Sequence, residues 1–429
     1  MALVISCTAS PLVVAERLPL KAYTTADGLP HNLINKIVRD SRGFLWFCTG
    51  EGLSRFDGYS FTNYTTDDGL PHGEVTDFLE AKSGELWVGT DDGLVRFDPK
   101  GSRPDRVSGA DKSDVGSSPM FDVVLSEDED RRARSITVLL EGRDGTVWCG
   151  TRKSLYRLDR RNGRFVLLPV DLGLSSEPPT GRAILDLLED RYGTLWIASL
   201  GWLRRRWPDG TVARYTRLDG LPDDNIHDLL EDRQGRLWVA TRLRGLLLLH
   251  ADGSHAPPVV LRNYRAGDGL TTDWIAQIVE TRDGRFWIAT NNGLAEFFPD
   301  TSGRNGRFHA YTQRSGFLYY GWNTLAEDSD GNLWLGSDEG TMKLSRDGFV
   351  GYGEQDGVLS ANAVFEDLGG GVCFRASVFG NERASLFEGA VSRFPGSVAH
   401  YHTRYGRFER QRFTWLLPDA LANAYIGWV

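Results

Sequence analysis

The chain is poor in the residues that usually announce chemistry. It has four cysteines in 429 residues, Cys7, Cys48, Cys149 and Cys373. They stand far apart without CxxC or cysteine–histidine spacing, which argues against a zinc ribbon and a disulfide framework. They read as small buried side chains. Its eight histidines are dispersed, and no Ser-His-Asp arrangement can be assembled from them. Lys and Arg, 49 against 58 Asp and Glu for a net charge of −9, are scattered, which leaves no nucleic-acid footprint. Beyond the first fifteen residues no apolar run reaches the length of a membrane-spanning helix.

Those first fifteen residues, Met1 to Ala15, contain neither acid nor base and end in Val13-Val14-Ala15 ahead of Glu16. Too short to span a bilayer, they are expected to be a signal-peptide remnant without its basic n-region. Val4-Ile5-Ser6-Cys7 supplies the alternative, a lipoprotein box with only six residues before its Cys.

What is abundant is glycine (49) and tryptophan (13), and seven of the tryptophans share one context. Trp46, Trp87, Trp148, Trp196, Trp238, Trp287 and Trp334 are separated by 41, 61, 48, 42, 49 and 47 residues, and each has Gly three residues before it. Apolar residues stand twelve and nine before each Trp, as Ile34 and Ile37 do for Trp46. The short distance from there to the Gly turn predicts a bulged strand rather than a helix. The residue two after each Trp is small: Cys48, Gly89, Gly150, Ala198, Ala240, Ala289 and Gly336. On a strand it shares a face with the Trp, so the pair is expected to fit beneath a neighbouring sheet. A Gly-Leu pair then opens a third strand, with Ser154 in place of Gly in repeat three, and a fourth stretch ends in an aromatic, as at Tyr64 and Tyr215.

Asp-Gly-Leu-Pro links units at 27–30, 68–71 and 219–222. Four short antiparallel strands per repeat make one blade, and blades that cannot bury both faces alone must stack in a ring. The expectation is an all-β chain: a seven-bladed β-propeller of four-stranded antiparallel blades over residues 16–352. Leu18 to Tyr23 has no repeat before it, so it is expected to pair with blade seven and latch the ring.

An eighth repeat begins near residue 360 with Cys373 in the Trp position, and Asn423 to Val429 matches the start of another. Residues 353–429 are therefore expected to begin a second, incomplete propeller in a truncated chain, the other reading being a C-terminal latch. Residues 99–134, rich in Ser, Asp and Gly, read as a mobile surface insertion, with a functional lid as the alternative.

The run Asp27-Gly-Leu-Pro-His-Asn, then Ile37, Asp40, Gly43-Phe-Leu-Trp46 and Gly52-Leu-Ser-Arg-Phe-Asp57 resembles the two-component regulator propeller repeat. That resemblance covers nearly all of residues 18–352. It implies periplasmic or extracellular ligand-sensing propellers, usually two per sensor, followed by a β-sandwich, a membrane helix and a histidine kinase or diguanylate cyclase. No phosphoacceptor His box, Gly-rich ATP lid or Gly-Gly-Asp-Glu-Phe signature is found in the sequence, so the expectation is an input module, not an enzyme, working with output domains elsewhere or with a partner sensor chain.

The acidic pairs Glu189-Asp190, Glu231-Asp232 and Glu327-Asp328 invite a glycosidase reading, but they recur at one repeat position, which favours a turn role. Asp328 to Asn332 resembles the start of a calcium loop yet lacks the distal Glu. Neither metal nor cofactor is expected. Ligand recognition is expected from the blade-entry loops, which vary on a rigid ring: His31, Asn32, His72, Glu74, Asp223, Asn225, Asp273, Trp274, Tyr320, Trp322 and Asn323. Aromatics there suit sugar faces, and Asn, Asp and His supply directional hydrogen bonds, so an oligosaccharide or peptide is the expected ligand class. For Trp274 and Trp322 the competing reading is packed core. A propeller enzyme acting on polysaccharide and a protein-interaction scaffold are the alternative functions.

Overall fold

The structure, a computed structural model, describes residues 18–346 apart from 104–118, 125, 174–182, 217–220, 222–224 and 300–305. Beyond these it describes the backbone of strands Ala361–Glu366, Val372–Ser377, Ala384–Gly389 and Tyr401–Arg404. The proposed signal remnant lies outside the described residues, as do Asp223 and residues 423–429.

Seven four-stranded antiparallel sheets fill Leu20–Ser345, one per repeat. Blade one is Ile34–Arg39, Leu45–Thr49, Gly52–Phe56 and Phe61–Tyr64, and the later blades repeat it. The first strands of successive blades touch one another all the way round, from Ile34–Arg39 through Thr324–Glu327 and back, so the sheets form a closed seven-bladed β-propeller. Among the described residues blade seven has three strands of its own; Leu20–Tyr23 completes it by pairing with Thr341–Leu344, Leu20 opposite Leu344 and Tyr23 opposite Thr341. The expected latch is present. The eighth repeat forms a four-stranded antiparallel sheet of the same order, described here by itself.

The insertion at 99–134 differs from expectation. It contains the fourth strand of blade two, Phe121–Val124, and Phe121 stacks on Phe97 at 5.0 Å. So short a strand, one polar and three apolar residues without a regular alternation, is masked by the polar sequence around it. Nor is the segment after it loose: Asp128 accepts hydrogen bonds from Lys153 Nζ at 2.5 Å and Tyr156 Oη at 3.1 Å.

The repeat signature has a direct physical reading. All seven turn glycines sit at positive φ, between +74° for Gly193 and +91° for Gly43, where a side chain would be strained. In blades one, four, five and seven the Asp six residues before the Trp holds both the turn and the ring. Asp190 accepts from the amides of Tyr192 (2.9 Å) and Thr194 (2.9 Å) and from Trp196 Nε1 (2.8 Å). Asp40, Asp232 and Asp328 likewise accept from Trp46, Trp238 and Trp334 at 3.0, 2.8 and 2.9 Å. The acidic pairs are thus structural, and the carboxylate of the calcium-like segment is engaged with the amides of Asp330 and Asn332 as well. The Glu of each pair serves the neighbour: Glu189, Glu231 and Glu327 accept from the turn amides of Arg143 (2.6 Å), Arg191 (2.9 Å) and Arg282 (2.8 Å) in the preceding blade. At the closure, where Arg39 replaces Glu, the guanidinium donates to the Asp328 carbonyl at 3.2 Å.

The first strands bulge as expected, the register slipping between Ile34 and Lys36 and at the same place in the next five blades. The extra residue reaches sideways: Asn35 Nδ2, Thr76 Oγ1 and Thr137 Oγ1 donate to the carbonyls of Val75, Ile136 and Ile184 in the next blade at 2.8, 2.9 and 2.6 Å. The small residue after each Trp meets that next blade too. A Cβ on Gly89 would lie 2.8 Å from Ile136 Cγ2, and one on Gly336 2.6 Å from Ile34 Cγ2. Trp46 stacks on Phe78 of blade two at 4.6 Å. Cys48 and Cys149 are free and buried in this packing.

Just after the bulge, Lys36, Asp77, Asp186, Asp228, Gln277 and Thr324 form a polar band on the inner strands. Asp77, Asp186, Asp228 and Gln277 each accept an amide of the next blade, those of Leu139 (2.8 Å), Leu229 (2.7 Å), Ile278 (2.9 Å) and Leu325 (2.6 Å). Lys36 Nζ lies 3.6 Å from Asp77 with its side chain 30% exposed. Burial raises the Asp186 carboxyl to about 6 against the pull of Lys36, and burial together with Asp186 raises Asp228 well above the usual carboxylate range.

Three outcomes follow from this architecture. Deleting residues 16–24 removes the closing strand and lowers the melting temperature markedly; an unchanged melt would show that the closure contributes nothing. Asp190→Ala leaves three donors, two of them buried, without an acceptor and destabilises the ring by on the order of 3 kcal/mol in denaturant unfolding. Because the Asp186 and Asp228 carboxyls are raised above their unfolded value near 4, they favour the fold most at low pH. Their contribution is lost as pH climbs through about 6 for Asp186 and higher for Asp228. Asp228→Asn, whose amide oxygen can still accept from Ile278, is expected to flatten the fall of melting temperature between pH 5 and 8. Parallel curves for variant and parent would overturn that origin.

Candidate functional site

Each inner strand enters from one face of the ring, which also carries the turns between second and third strands. The linkers on this face are built alike. Asp27 and Asp68 accept from the amides of Thr24 and Thr65, both at 2.9 Å, closing one turn of 3-10 helix, and Gly28 and Gly69 follow at φ +107° and +100°. Leu29, Leu70, Leu221 and Leu270 are buried beneath it.

Several expected recognition residues turn out to shape their own loops. His31 Nδ1 accepts from the Leu33 amide at 3.0 Å, and His72 Nδ1 from the Glu74 amide at 3.1 Å, which puts the proton of either neutral ring on Nε2. Asn32 Oδ1 accepts from the Thr25 amide at 2.9 Å. The Glu74 and Asn225 carbonyls receive the amides of Asp91 and Arg242. Asp273 accepts from the Ala266 amide at 2.7 Å and from the Arg265 guanidinium. Partial burial works to raise the Asp273 carboxyl, but its bonds to Arg265 and Ala266 outweigh burial and hold it low.

Trp274, Tyr320, Trp322 and Asn323 behave differently. They come together between blades six and seven in a cleft of about 320 Å³. Trp322 is only 1% exposed, packed against Phe317 (5.1 Å) and Tyr319 (6.0 Å), and its Nε1 has no hydrogen-bond partner. Trp322 is thus packed core, as the competing reading expected, and one side of its ring also lines the opening. Trp274 is half-buried with the Arg242 guanidinium 4.7 Å from its ring centre. Tyr320 is 62% exposed.

The polar side of the cleft comes from Asn291, Asp338 and Glu339, on the turns between second and third strands. These had no place in the sequence expectation. The signal available was position: residues four and five after each Trp must share a face with the entry loops. Asn323 Nδ2 donates to Asp338 at 2.7 Å and to the Ile34 carbonyl at 3.2 Å, tying the cleft to blade one. Burial, then the charges of Glu339 and Asp27, raise the Tyr319 hydroxyl, so it stays protonated and able to donate. The arrangement can stack a flat or ring-shaped apolar face and hydrogen-bond a ligand rich in hydroxyl or amide groups. Among the described residues no cluster of His, Cys, Asp and Glu is placed to hold a metal, and no helix is long and apolar enough to cross a membrane.

In structure the chain resembles the extracellular domain of a protein described as a hybrid two component system of B. thetaiotaomicron, with a TM-score of 0.63, 19% identity and 86% of this chain covered. A second such domain from the same organism gives 0.55, 16% and 90%. This chain spans about half the length of either, 48% and 47%. A streptogramin B lyase shares the fold at a TM-score of 0.55 and 13% identity, with 76% of this chain and 98% of the lyase covered. At such identities these likenesses bear on fold alone. No curated protein sequence matches significantly. Residues 28–51, 69–92, 220–242, 269–292 and 316–339, each joining an entry loop to a first strand and a Trp strand, match the model named two component regulator propeller. Five of the seven repeats that build this ring, those of blades one, two, five, six and seven, thus match that repeat model.

Proposed function

We propose that this chain is the ligand-binding input module of a two-component or related signalling protein, acting in the periplasm or outside the cell and not itself a catalyst. The observation that carries the reading is the cleft between blades six and seven. Two aromatic rings reachable from solvent, Trp274 and Tyr320, stand beside the amides and carboxylates of Asn291, Asn323, Asp338 and Glu339. An oligosaccharide or a peptide suits it: a sugar ring or side chain stacks on the aromatics while hydroxyl or amide groups meet the polar wall. Family repeats in a ring support sensing, and the half-length coverage of the solved extracellular domains supports a larger sensor, with residues 16–352 as one propeller and 353–429 opening a second. Output domains then lie outside this chain.

Thermal-shift screening of residues 16–429 against oligosaccharide and peptide panels, with mass spectrometry of the ligands afterwards, tests the proposal. A saturable rise in melting temperature with the ligand intact is expected, and cleaved ligand would replace sensing with catalysis. Tyr320→Ala should weaken binding roughly tenfold, the worth of one aromatic stack, while leaving the ligand-free melt unchanged because Tyr320 is exposed. Unaltered affinity would move the site elsewhere.

A further inference from the structure

The opposite face of the ring carries the Gly turns, and there the repeat itself shows what is missing from blade two. In four blades an Asp carboxylate accepts the indole N–H of the repeat Trp; in blade two that position is Ala81. The turn backbone is otherwise the same. The Ala81 amide donates to the Glu85 carbonyl and the Gly84 amide to the Ala81 carbonyl, both at 2.8 Å, as the Asp190 and Gly193 amides do in blade four at 3.0 and 2.9 Å. Trp87 is 1% exposed and its Nε1 has no partner. The two amides that flank the carboxylate in blade four correspond here to Ser83 and Glu85, and the Glu85 amide reaches only Ser83 Oγ, at 3.5 Å. Donors remain, and the acceptor they are built around is absent.

Ala81 and Trp87 line a cavity of about 680 Å³ between blades two and three. We propose that this cavity is a binding site for the carboxylate of a small ligand, seated where the Asp side chain sits in blades one, four, five and seven and accepting from Trp87 Nε1. The specificity is geometric rather than a matter of net charge. The wall cations Lys82, Arg143 and Arg160 stand among four acids, Glu85, Glu141, Asp144 and Asp159, and the Lys82 ammonium is already given to the Gly142 carbonyl at 2.9 Å. A carboxylate beside a Glu of the next blade is tolerated in this fold, since Asp190 and Glu231 occupy that relation in blades four and five. Affinity therefore comes from converging donors around a desolvated indole N–H, which a neutral ligand would satisfy less well than an ionised one. The site lies on the face away from the entry-loop cleft and does not depend on the reading given to that cleft.

The test follows indole N–H resonances of the full ¹⁵N-labelled chain by NMR, with Trp87→Phe identifying the Trp87 signal. Titration with sodium formate is expected to move that signal downfield and to saturate, while sodium chloride at equal ionic strength does not. Ala81→Asp, which installs the residue four sibling blades already carry, should show the shifted signal without formate and lose the response. Glucuronate and N-acetylglycine then separate an acidic sugar from a peptide carboxylate as the source, by which of them moves the same resonance at lower concentration. No formate response beyond that to chloride would overturn the assignment. So would a response to formate with none to either larger acid, which would reduce the site to a hole for a small ion.

Discussion

Everything in this ring depends on one contact made between blades: the Trp strand of each sheet lying beneath the first strand of the next. A four-stranded blade has two apolar faces and cannot bury either alone. The pairing of a bulky Trp with a small residue two positions on gives its face a ridge and a hollow. Ile136 and Ile34 enter the hollows at Gly89 and Gly336 so closely that a methyl group at either glycine would collide. Phe78 meets the ridge at Trp46. The polar bonds are arranged around this contact, with bulge residues and inner-strand Asp side chains reaching into the next blade and Glu carboxylates reaching back to the preceding one. Buried amides at the seams thereby find partners that a seam between apolar sheets would deny them.

Such a blade-to-blade scheme must also be met where the ring closes, because the last blade must address the first. The position that is Glu in six blades is Arg39 in blade one, and it bonds a carbonyl of blade seven instead of an amide. The Leu20–Tyr23 strand supplies the covalent counterpart, since the first described strand and the last repeat share one sheet. Tyr23 also stacks on Trp334 at 5.2 Å, so the closing strand contributes to the aromatic core of the seam it completes.

Much of this was legible in the sequence because it repeats. Turn Gly, Trp and small residue recur together, and the spacing of three between apolar residues such as Ile34 and Ile37 reported the bulge that the register of all but the seventh ring blade displays. What was illegible is what occurs once. The fourth strand of blade two, Phe121–Val124, was obscured by its polar setting. Arg205, wholly buried between Trp196 and Trp207 and bonded to the Ser254 carbonyl at 3.0 Å, is part of a run of three arginines that nothing local marks as interior. Of the entry-loop candidates, the sequence could identify the face but not separate loop-forming residues such as His31 and Asn32 from the cleft-lining Trp274 and Tyr320. That distinction depends on which backbone amides lie within reach. Asn291, Asp338 and Glu339 belong to turns whose convergence on the cleft needs the third dimension.

The same logic turns the repeat into an internal reference for locating function. Residues that obey the pattern are accounted for by packing: the Glu-Asp pairs need no chemistry beyond turn and seam. Departures without a compensating partner are therefore the informative positions. Blade seven departs at Trp322, which replaces the aliphatic residue that opens five of the other six blades as Ile and the sixth as Val. The cost is a buried indole N–H without an acceptor beside an open cleft. Blade two departs at Ala81, and again an indole N–H is left unmatched at a cavity wall. In a ring where four of the seven repeat indoles are capped by Asp, two unmatched indole donors at two cavities on opposite faces are difficult to assign to packing. A ligand that supplies the missing acceptor gives each of them a physical reason.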